Sequence, residues 1–335
     1  MDTFRKIVAG ICALLFVISG IIALLAFNIE SKAFTSETYK QAFENQRLYE
    51  HMPEILANAV HTSIAENGNA APYLKPLTVA DWQATITFLL PPEELKAITD
   101  GALESVFDYL NGKADSAVIS LVPFKTHLAG PSGVEVIKQI LRVQPACTAE
   151  QLLQLGLGLL GGDIKLCNPP EELMGLATPL IESQLQVLTV AFPDKLTLIS
   201  GAGNGTPNDP RVKLGRVRAV MKVTPFFPLF FLFALSVFAV RSLTGWLKWW
   251  GYPFLITGAI SALFAWLGAP IFGLVVQRVL QNQGARFLPP IFFSTLQETV
   301  SVVTSQILKP VAIEGLVLAV LGLMMVLVAA YVTKK

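Results

Sequence analysis

The chain has 335 residues, of which 53% are hydrophobic and 15% are charged. Soluble domains carry about 25% charged residues, so a chain this apolar is not solvated along its whole length and is predicted to be a membrane protein. The formal net charge of +1 argues against nucleic-acid binding, which needs a strong basic excess, and the hydrophobicity excludes low-complexity disorder.

Four stretches are long and apolar enough to cross a bilayer, whose core needs about 20 apolar residues in a helix. They are residues 7–27, 223–240, 249–277 and 310–333, and the last contains one acid, Glu314, near its start. The first run is longer than the apolar part of a signal peptide and no clear cleavage site follows, which favours an uncleaved signal anchor. Residues 28–222, between the first two spans, are enough for a domain with its own core.

The distribution of basic residues predicts the orientation of the chain. The tail 1–6, the loop 241–248 and the tail 334–335 share one side and contain Arg5, Lys6, Arg241, Lys248, Lys334 and Lys335. The positive-inside rule assigns that side to the cytoplasm, so residues 28–222 and 278–309 are predicted to be extracytoplasmic. A basic run just before the second span opposes this orientation, but large domains translocate largely regardless of charge.

Two of the three cysteines, Cys147 and Cys167, fall in the large domain, whereas Cys12 lies inside the first span. In an oxidising compartment the two would form a disulfide, which would stabilise the domain by roughly 3 kcal/mol through the entropy of the unfolded chain. The alternative is a pair of buried free thiols.

The large domain has the start and stop signals of a mainly helical fold. Ser36 and Thr78 are predicted N-caps, the first for a helix that ends near residue 47. Pro53 is expected in the first turn of another helix. The Pro-Pro-Glu-Glu segment at 91–94 opens a longer helix, which Gly112 ends.

Two parts of this domain are similar to each other. Pro-Pro-Glu-Glu-Leu occurs at 91–95 and again at 169–173. Each copy follows a threonine-capped short helix and precedes a β-like run, at 117–122 or at 196–200. We interpret this as two related units, the second with an insertion at 161–168. Chance similarity between two proline-acid helix openings is the alternative.

Two further segments flank the spans. Residues 201–210 are rich in glycine and proline and predict a loop, after which a helix is expected to begin at Pro210 and run straight into the second span. Residues 289–309 have an apolar stripe and a polar face, which predicts an amphipathic helix. The low basic charge of the polar face favours docking on the large domain, and the alternative is a position on the membrane surface.

Signals for catalysis are weak. The histidines lack metal-ligand spacing, and the Gly-x-Gly-x-x-Gly at 156–161 lacks the βαβ frame that a dinucleotide site needs. An enzyme would require acids such as Asp81, Glu104 or Glu182 to converge in a cleft. Glu314 is predicted to be interfacial, and the sequence assigns no catalytic residue, no cofactor and no metal.

Two sequence features favour interactions instead. A basic juxtamembrane run is a candidate for contact with anionic lipid, or alternatively a salt-bridged helix, and comprises Arg211, Lys213, Arg216, Arg218 and Lys222. Small residues at four-residue spacing in the third and fourth spans favour close helix packing, within the bundle or between copies, and are Ala265, Ala269, Gly273, Gly315 and Ala319.

The chain resembles a loose group of bacterial membrane proteins with one amino-terminal span, a large helical extracytoplasmic loop and three clustered spans. The resemblance rests on two segments of the large loop. The first is its opening, from Ser-Glu-Thr-Tyr at 36–39 to His-Met-Pro-Glu-Ile-Leu-Ala-Asn-Ala-Val at 51–60, and the second is the helix-to-strand unit from 109–113 to 119–123. It covers the architecture of the whole chain and implies the bacterial cytoplasmic membrane, but its motifs are weak and no activity comes with it.

The sequence therefore predicts a mainly α protein with four transmembrane helices and an α-rich extracytoplasmic domain with short β elements. Its predicted function is non-enzymatic: the domain mediates interaction or assembly as a scaffold, accessory subunit or envelope component. Membrane lipids and a second copy or another membrane protein are the expected partners, and nucleic acid is not. The alternative is a transporter or lipid-handling protein with a cavity between the domain and the second to fourth spans.

Overall fold

The computed structural model describes residues 2–66, 71–156, 167–200, 210–283 and 290–334. Four helical segments within them are long and apolar enough to cross a membrane, and they overlap the four predicted spans: Phe4–Ala33, Arg211–Ala239, Leu243–Val275 and Thr295–Thr333. Three predicted features lie wholly or mostly outside the described residues. They are the loop at 201–210, the glycine motif at 156–161 and the insertion at 161–168.

Helices and two strands make up the described chain. In chain order they are α1 (Asp2–Ala33), α2 (Ser36–Asn45), α3 (Leu48–Glu66), a 3₁₀ turn (Pro72–Leu74), α4 (Val79–Leu89), α5 (Pro92–Leu110), β1 (Ser116–Ser120), α6 (Val122–Ala129), α7 (Pro131–Arg142), α8 (Ala149–Gly156), α9 (Glu171–Ala191), β2 (Lys195–Ser200), α10 (Pro210–Val223), α11 (Phe226–Ala239), α12 (Leu243–Gln283) and α13 (Pro290–Lys334). We call α2–α9 with both strands the loop domain, and α1 with α11–α13 the bundle.

The bundle is organised around α1, which packs against α11, α12 and α13. α12 and α13 form an antiparallel pair whose backbones touch at glycines. A Cβ atom at Gly315 would lie 2.9 Å from the Ala262 nitrogen and from the Gly258 carbonyl oxygen. A Cβ at Gly251 would lie 3.1 Å from the carbonyl oxygen of Gly322. Small residues are what allow two membrane helices to approach this closely.

The last helix differs from the prediction of a separate amphipathic helix at 289–309. α13 is a single helix of 45 residues that continues through Pro310. Its length is about 67 Å at 1.5 Å per residue, more than twice the hydrocarbon core of about 30 Å. α13 therefore extends beyond the span, and it also contacts α2 and α3 of the loop domain. Proline is tolerated inside membrane helices because neighbouring groups satisfy the freed backbone.

The second span also differs from the prediction, because the helix that begins at Pro210 does not run unbroken into it. α10 ends at Val223, and a turn at Thr224 and Pro225 separates it from α11. Proline has no amide hydrogen and disfavours helical geometry at the residue before it, which explains the break. The Phe227 amide still donates to the Thr224 carbonyl at 3.2 Å, so the interruption is short.

Helix starts in the loop domain are partly as predicted. Thr78 caps α4, with its amide donating to the Asp81 carboxylate at 2.8 Å and its hydroxyl accepting from the Asp81 amide at 3.3 Å. The prediction for Ser36 is wrong by one residue, because Thr35 is the N-cap of α2. The prediction for Pro53 is also wrong: Arg47, at a φ of 49°, turns the chain, so α3 begins at Leu48 and contains the proline.

The two β-like runs pair with each other as an antiparallel two-stranded sheet, with Ile119 opposite Leu196. Each strand follows the long helix of one predicted unit, α5 or α9. α5 packs against β1, whereas α9 packs against α6 and α7. The two units therefore share element order but not packing, and an internal duplication remains a hypothesis.

Cys147 and Cys167 lie at disulfide-bonding distance, with their sulfur atoms 2.01 Å apart. The chain segments beside them are also paired through the backbone. The Cys147 amide donates to the Asn168 carbonyl at 3.0 Å, and the Asn168 amide donates to the Pro145 carbonyl at 2.8 Å. The pair thus joins the start of α8 to the segment that leads into α9.

A buried polar group connects α3 to α5. The Tyr49 hydroxyl donates to the Asp100 carboxylate at 2.7 Å, and Lys96 donates to the same carboxylate at 2.9 Å. Partial burial alone would raise the pKa of Asp100, but the hydrogen bonds from Lys96 and Tyr49 outweigh it and hold that pKa below its ordinary value. Burial and the bond to Asp100 raise the pKa of Tyr49.

Candidate functional site

The bundle contains a cleft with a volume of about 430 Å³. α1 forms its floor, α11 forms one wall, and α12 with α13 forms the other. All but two of its lining residues are apolar, the exceptions being Thr257 and Glu314. Along α1 the lining runs from Phe16 to Phe27, which is about 16 Å of helix and close to half the thickness of a bilayer core. The cleft therefore has the depth of one leaflet.

Small residues on α1 and a helix break before α11 explain why this space is not filled. Gly20 and Ala23 of α1 face the cleft with little or no side chain. A Cβ atom at Gly20 would lie 2.9 Å from Cγ2 of Thr257, so α12 closes against α1 at this level. On the other side α11 begins at the turn described above, and Pro225 and Pro228 line the cleft there. The break and the small residues together leave a groove.

One acidic residue, Glu314, lines the cleft, and an amide from α1 holds its carboxylate. The Asn28 side-chain nitrogen donates to Oε2 of Glu314 at 2.8 Å and to the Leu24 carbonyl at 2.9 Å. Asn28 is only 3% exposed. Both hydrogens of its side-chain amide are used in these bonds, so the amide fixes the Glu314 carboxylate without neutralising it.

Two hydroxyl groups on α12 are buried without a hydrogen-bond partner among the described residues. Thr257 and Ser261 have no exposed surface, and the oxygen of each is unpaired there. In helices such hydroxyls commonly donate to a carbonyl one turn earlier. Thr257 also lines the cleft. A buried hydroxyl without a partner costs free energy.

The basic run before the second span forms the junction between the loop domain and the bundle. Arg218 donates to Glu30 of α1 at 2.9 Å, and Lys222 lies 3.5 Å from the same carboxylate. Arg218 also bonds Asn111 at the end of α5 and lies over the ring of Phe34. This is the arrangement expected for a salt-bridged helix.

The rest of that basic run is divided between the loop domain and solvent. Arg211 donates to the Asp115 carboxylate at 3.4 Å, and its guanidinium lies 4.8 Å from the ring centre of Tyr109. Lys213 and Arg216 are exposed. Contact of these five residues with anionic lipid remains a prediction.

The small residues predicted for helix packing do not act as one set. Gly315 faces α12 directly, and the backbone of Ala319 faces Gly258 of that helix. Ala265 is buried, and the side chain of Ala269 lies outside the described residues. A Cβ atom at Gly273 would meet nothing within 4 Å. The sequence missed the matching glycines Gly251, Gly258 and Gly322. The available signal was a seven-residue spacing, from Gly251 to Gly258 in α12 and from Gly315 to Gly322 in α13.

The three acids considered for catalysis have separate positions. Asp81 belongs to the cap of α4, Glu104 forms an ion pair with Lys40, and Glu182 is exposed on α9. Within the described ranges, no cluster of three or more His, Cys, Asp or Glu side chains could hold a metal ion.

No protein-family model, no curated protein and no solved structure matches this chain. The resemblance to four-span bacterial proteins therefore remains a prediction from the sequence, and the function rests on the geometry of the molecule itself.

Proposed function

We propose that this protein handles lipid-like molecules in the membrane and holds the chain of one amphiphile in the bundle cleft. The cleft itself is the observation that carries the proposal. Its volume of about 430 Å³ is in the range of small-molecule sites, and its lining is apolar apart from two polar residues. Concave sites of this kind, with apolar walls and few polar groups, are where proteins commonly bind small molecules.

The depth and polarity of the cleft support an amphiphile. An apolar chain would lie along α1 between Phe16 and Phe27, and a polar group would reach Glu314. Apolar walls with a few placed polar groups are typical of sites that orient a mostly hydrophobic ligand.

The test is to fill the cleft and to measure the lipid that stays bound. Leu229 lines the cleft and is 61% exposed, whereas Leu316 is 60% exposed and does not line it. We expect Leu229→Trp to lower the fraction of chains that carry a bound lipid, and Leu316→Trp to leave it unchanged. Native mass spectrometry of protein released from nanodiscs measures that fraction. Equal retention by both variants, or a wild-type chain free of lipid, would contradict the proposal.

A second function, protein interaction through the loop domain, is favoured by a separate observation on α9. This helix is apolar on two opposite faces. Met174 and Leu185 are buried, while Leu176, Val187 and Val190 are 77%, 68% and 82% exposed on the other face. An exposed apolar stripe outside the spans is typical of an interaction surface. We propose a second copy of this chain as its partner.

The assembly proposal is tested by mass. We expect the wild-type chain in nanodiscs to be larger than a monomer, and Leu176→Glu combined with Val187→Glu to convert it to a monomer. Gln186→Glu adds a charge to the same helix beside the stripe and is the matched control, since Gln186 is already exposed and polar. A monomeric wild-type chain would eliminate self-association.

We also propose that the loop domain lies on the extracytoplasmic side, in a bacterial cytoplasmic membrane. The disulfide-distance pair Cys147–Cys167 supports this because disulfides persist in oxidising compartments. Gln186→Cys places a thiol on the exposed surface of α9. A membrane-impermeant maleimide should label it in intact cells, and labelling only after lysis would reverse the orientation.

A further inference from the structure

The bundle cleft contains one charged side chain in its lining, and we infer from this that the amphiphile it holds carries an ammonium head group, bound by Glu314. This inference rests on the proposed lipid-handling function and names the chemical class of its ligand. Twelve of the thirteen lining residues carry no charge, and Glu314 is the exception.

The partner of Glu314 does not compensate its charge. Asn28 is a neutral amide, and both of its side-chain hydrogens are already used. A carboxylate among apolar groups is costly in a membrane unless a cation or several donors satisfy it. An ammonium group supplies both the opposite charge and three hydrogen-bond donors.

Two cations near this end of the bundle have another carboxylate as their partner. Arg218 and Lys222 share the carboxylate of Glu30, one turn beyond the Phe27 end of the cleft. Lys309, which precedes Glu314 on α13, is exposed. The hydrogen-bond partner that the structure gives Glu314 within the described chain is Asn28.

The same charge excludes other head groups. A phosphate or carboxylate beside Glu314 would be repelled, because like charges in a low-dielectric site are unfavourable. A hydroxyl would be accepted without an ionic gain.

The experiment compares head groups on one chain length. The protein in nanodiscs is photolabelled with a dodecanol that carries a diazirine in its chain, and the labelled peptides of α1 and α11 are quantified. Dodecylamine, dodecanol and dodecanoate are each added as competitors of the probe before irradiation. We expect dodecylamine to compete at about tenfold lower concentration than the other two, which corresponds to 1.4 kcal/mol of ionic preference.

The matched variants are Glu314→Gln and Glu298→Gln, which remove one carboxylate each from α13. Glu298 is exposed near the start of α13, whereas Glu314 lies in the middle of the helix. Glu314→Gln should abolish the advantage of the amine while still binding the alcohol probe, and Glu298→Gln should behave as wild type. Butylamine, which has the head group but a short chain, should not compete; competition at equal potency would identify a free amine as the ligand.

Each outcome decides a different point. Equal competition by amine and alcohol in the wild-type chain would overturn the ammonium inference and leave the cleft as a lipid site. Absence of labelling at the cleft with any probe would overturn the proposed function as well. The comparison of amine and alcohol competitors uses the wild-type chain alone, so it tests the inference even if Glu314→Gln does not fold.

Discussion

Replacing Gly258 with alanine would place a methyl group in the contact between α12 and α13. The new Cβ would overlap the backbone nitrogen of Ala319 and the backbone carbonyl oxygen of Gly315. Neither is the flexible end of a side chain, so neither can rotate away. The two helices must separate, and the substitution is expected to destabilise the bundle.

The magnitude follows from the size of the overlap. Relief of the clash requires a separation of about 1 Å, and a gap of 0.5–1 Å loses roughly a quarter to a half of the dispersion energy of each facing atom pair. Overpacking in well-packed interiors costs about 1–3 kcal/mol, and alanine recovers at most about 1 kcal/mol through its higher helix propensity. We expect a net loss of about 1–2 kcal/mol.

The control is Gly273→Ala in the same helix, where a Cβ meets nothing within 4 Å. It should leave the free energy of unfolding unchanged or raise it slightly. Both variants are measured by reversible denaturant unfolding in mixed micelles, followed by tryptophan fluorescence. Equal stability of Gly258→Ala and wild type, or an equal loss in Gly273→Ala, would refute the packing described here.

Three further changes test the loop domain and its junction. Asp100→Asn should lower the free energy of unfolding at neutral pH. Because the pKa of this carboxyl is depressed in the folded state, the stability advantage of the wild type is present above the unfolded-state pKa and should vanish as the pH falls through the folded-state pKa. Chemical unfolding at several pH values measures this trend. Cys147→Ser should lower the free energy of unfolding by about 3 kcal/mol for a loop of this length. Dithiothreitol should destabilise the wild type but not the variant. A wild type whose stability does not change with reductant would exclude the bond to Cys167. Arg218→Ala should lower the free energy of unfolding by about 2 kcal/mol because it leaves Glu30 with a weaker partner. An unchanged melting temperature in the variant would show that this ion pair does not stabilise the fold.

The spans and much of the loop domain could be predicted because their signals are local. An apolar run of about 20 residues defines a membrane helix without knowledge of its neighbours. The capping box at Thr78 and Asp81 and the proline opening at 91–94 likewise involve only adjacent residues. The antiparallel pairing of β1 with β2 could not be predicted in this way, because the described helices α6–α9 lie between the two strands in the chain.

The candidate site could not be predicted because its parts are distant in sequence. Asn28 and Glu314 are 286 positions apart, and only the packing of α1 against α13 brings them together. The cleft is a space that the side chains of α11 leave open beside α1, and its shape depends on several helices together. A weaker signal was present: Thr257 and Ser261 are polar residues one turn apart in an otherwise apolar span.

The effect of proline was the least predictable local feature. Pro225 interrupts the second span, whereas Pro310 lies within a continuous helix. The chemistry of the two residues is the same, and their surroundings differ. A break is tolerated where the span meets the loop domain, while α13 is supported along its length by α12.

The most direct test of the central claim is to map where a chain-labelled diazirine dodecanol reacts with the wild-type protein in nanodiscs. If the cleft holds the chain of an amphiphile, saturable labelling will concentrate on lining residues such as Ala23, Leu229 and Leu318. Labelling spread evenly over outward-facing residues such as Leu316 and Leu327, with no saturable component, would show that the cleft is ordinary bilayer-facing surface and would contradict the account.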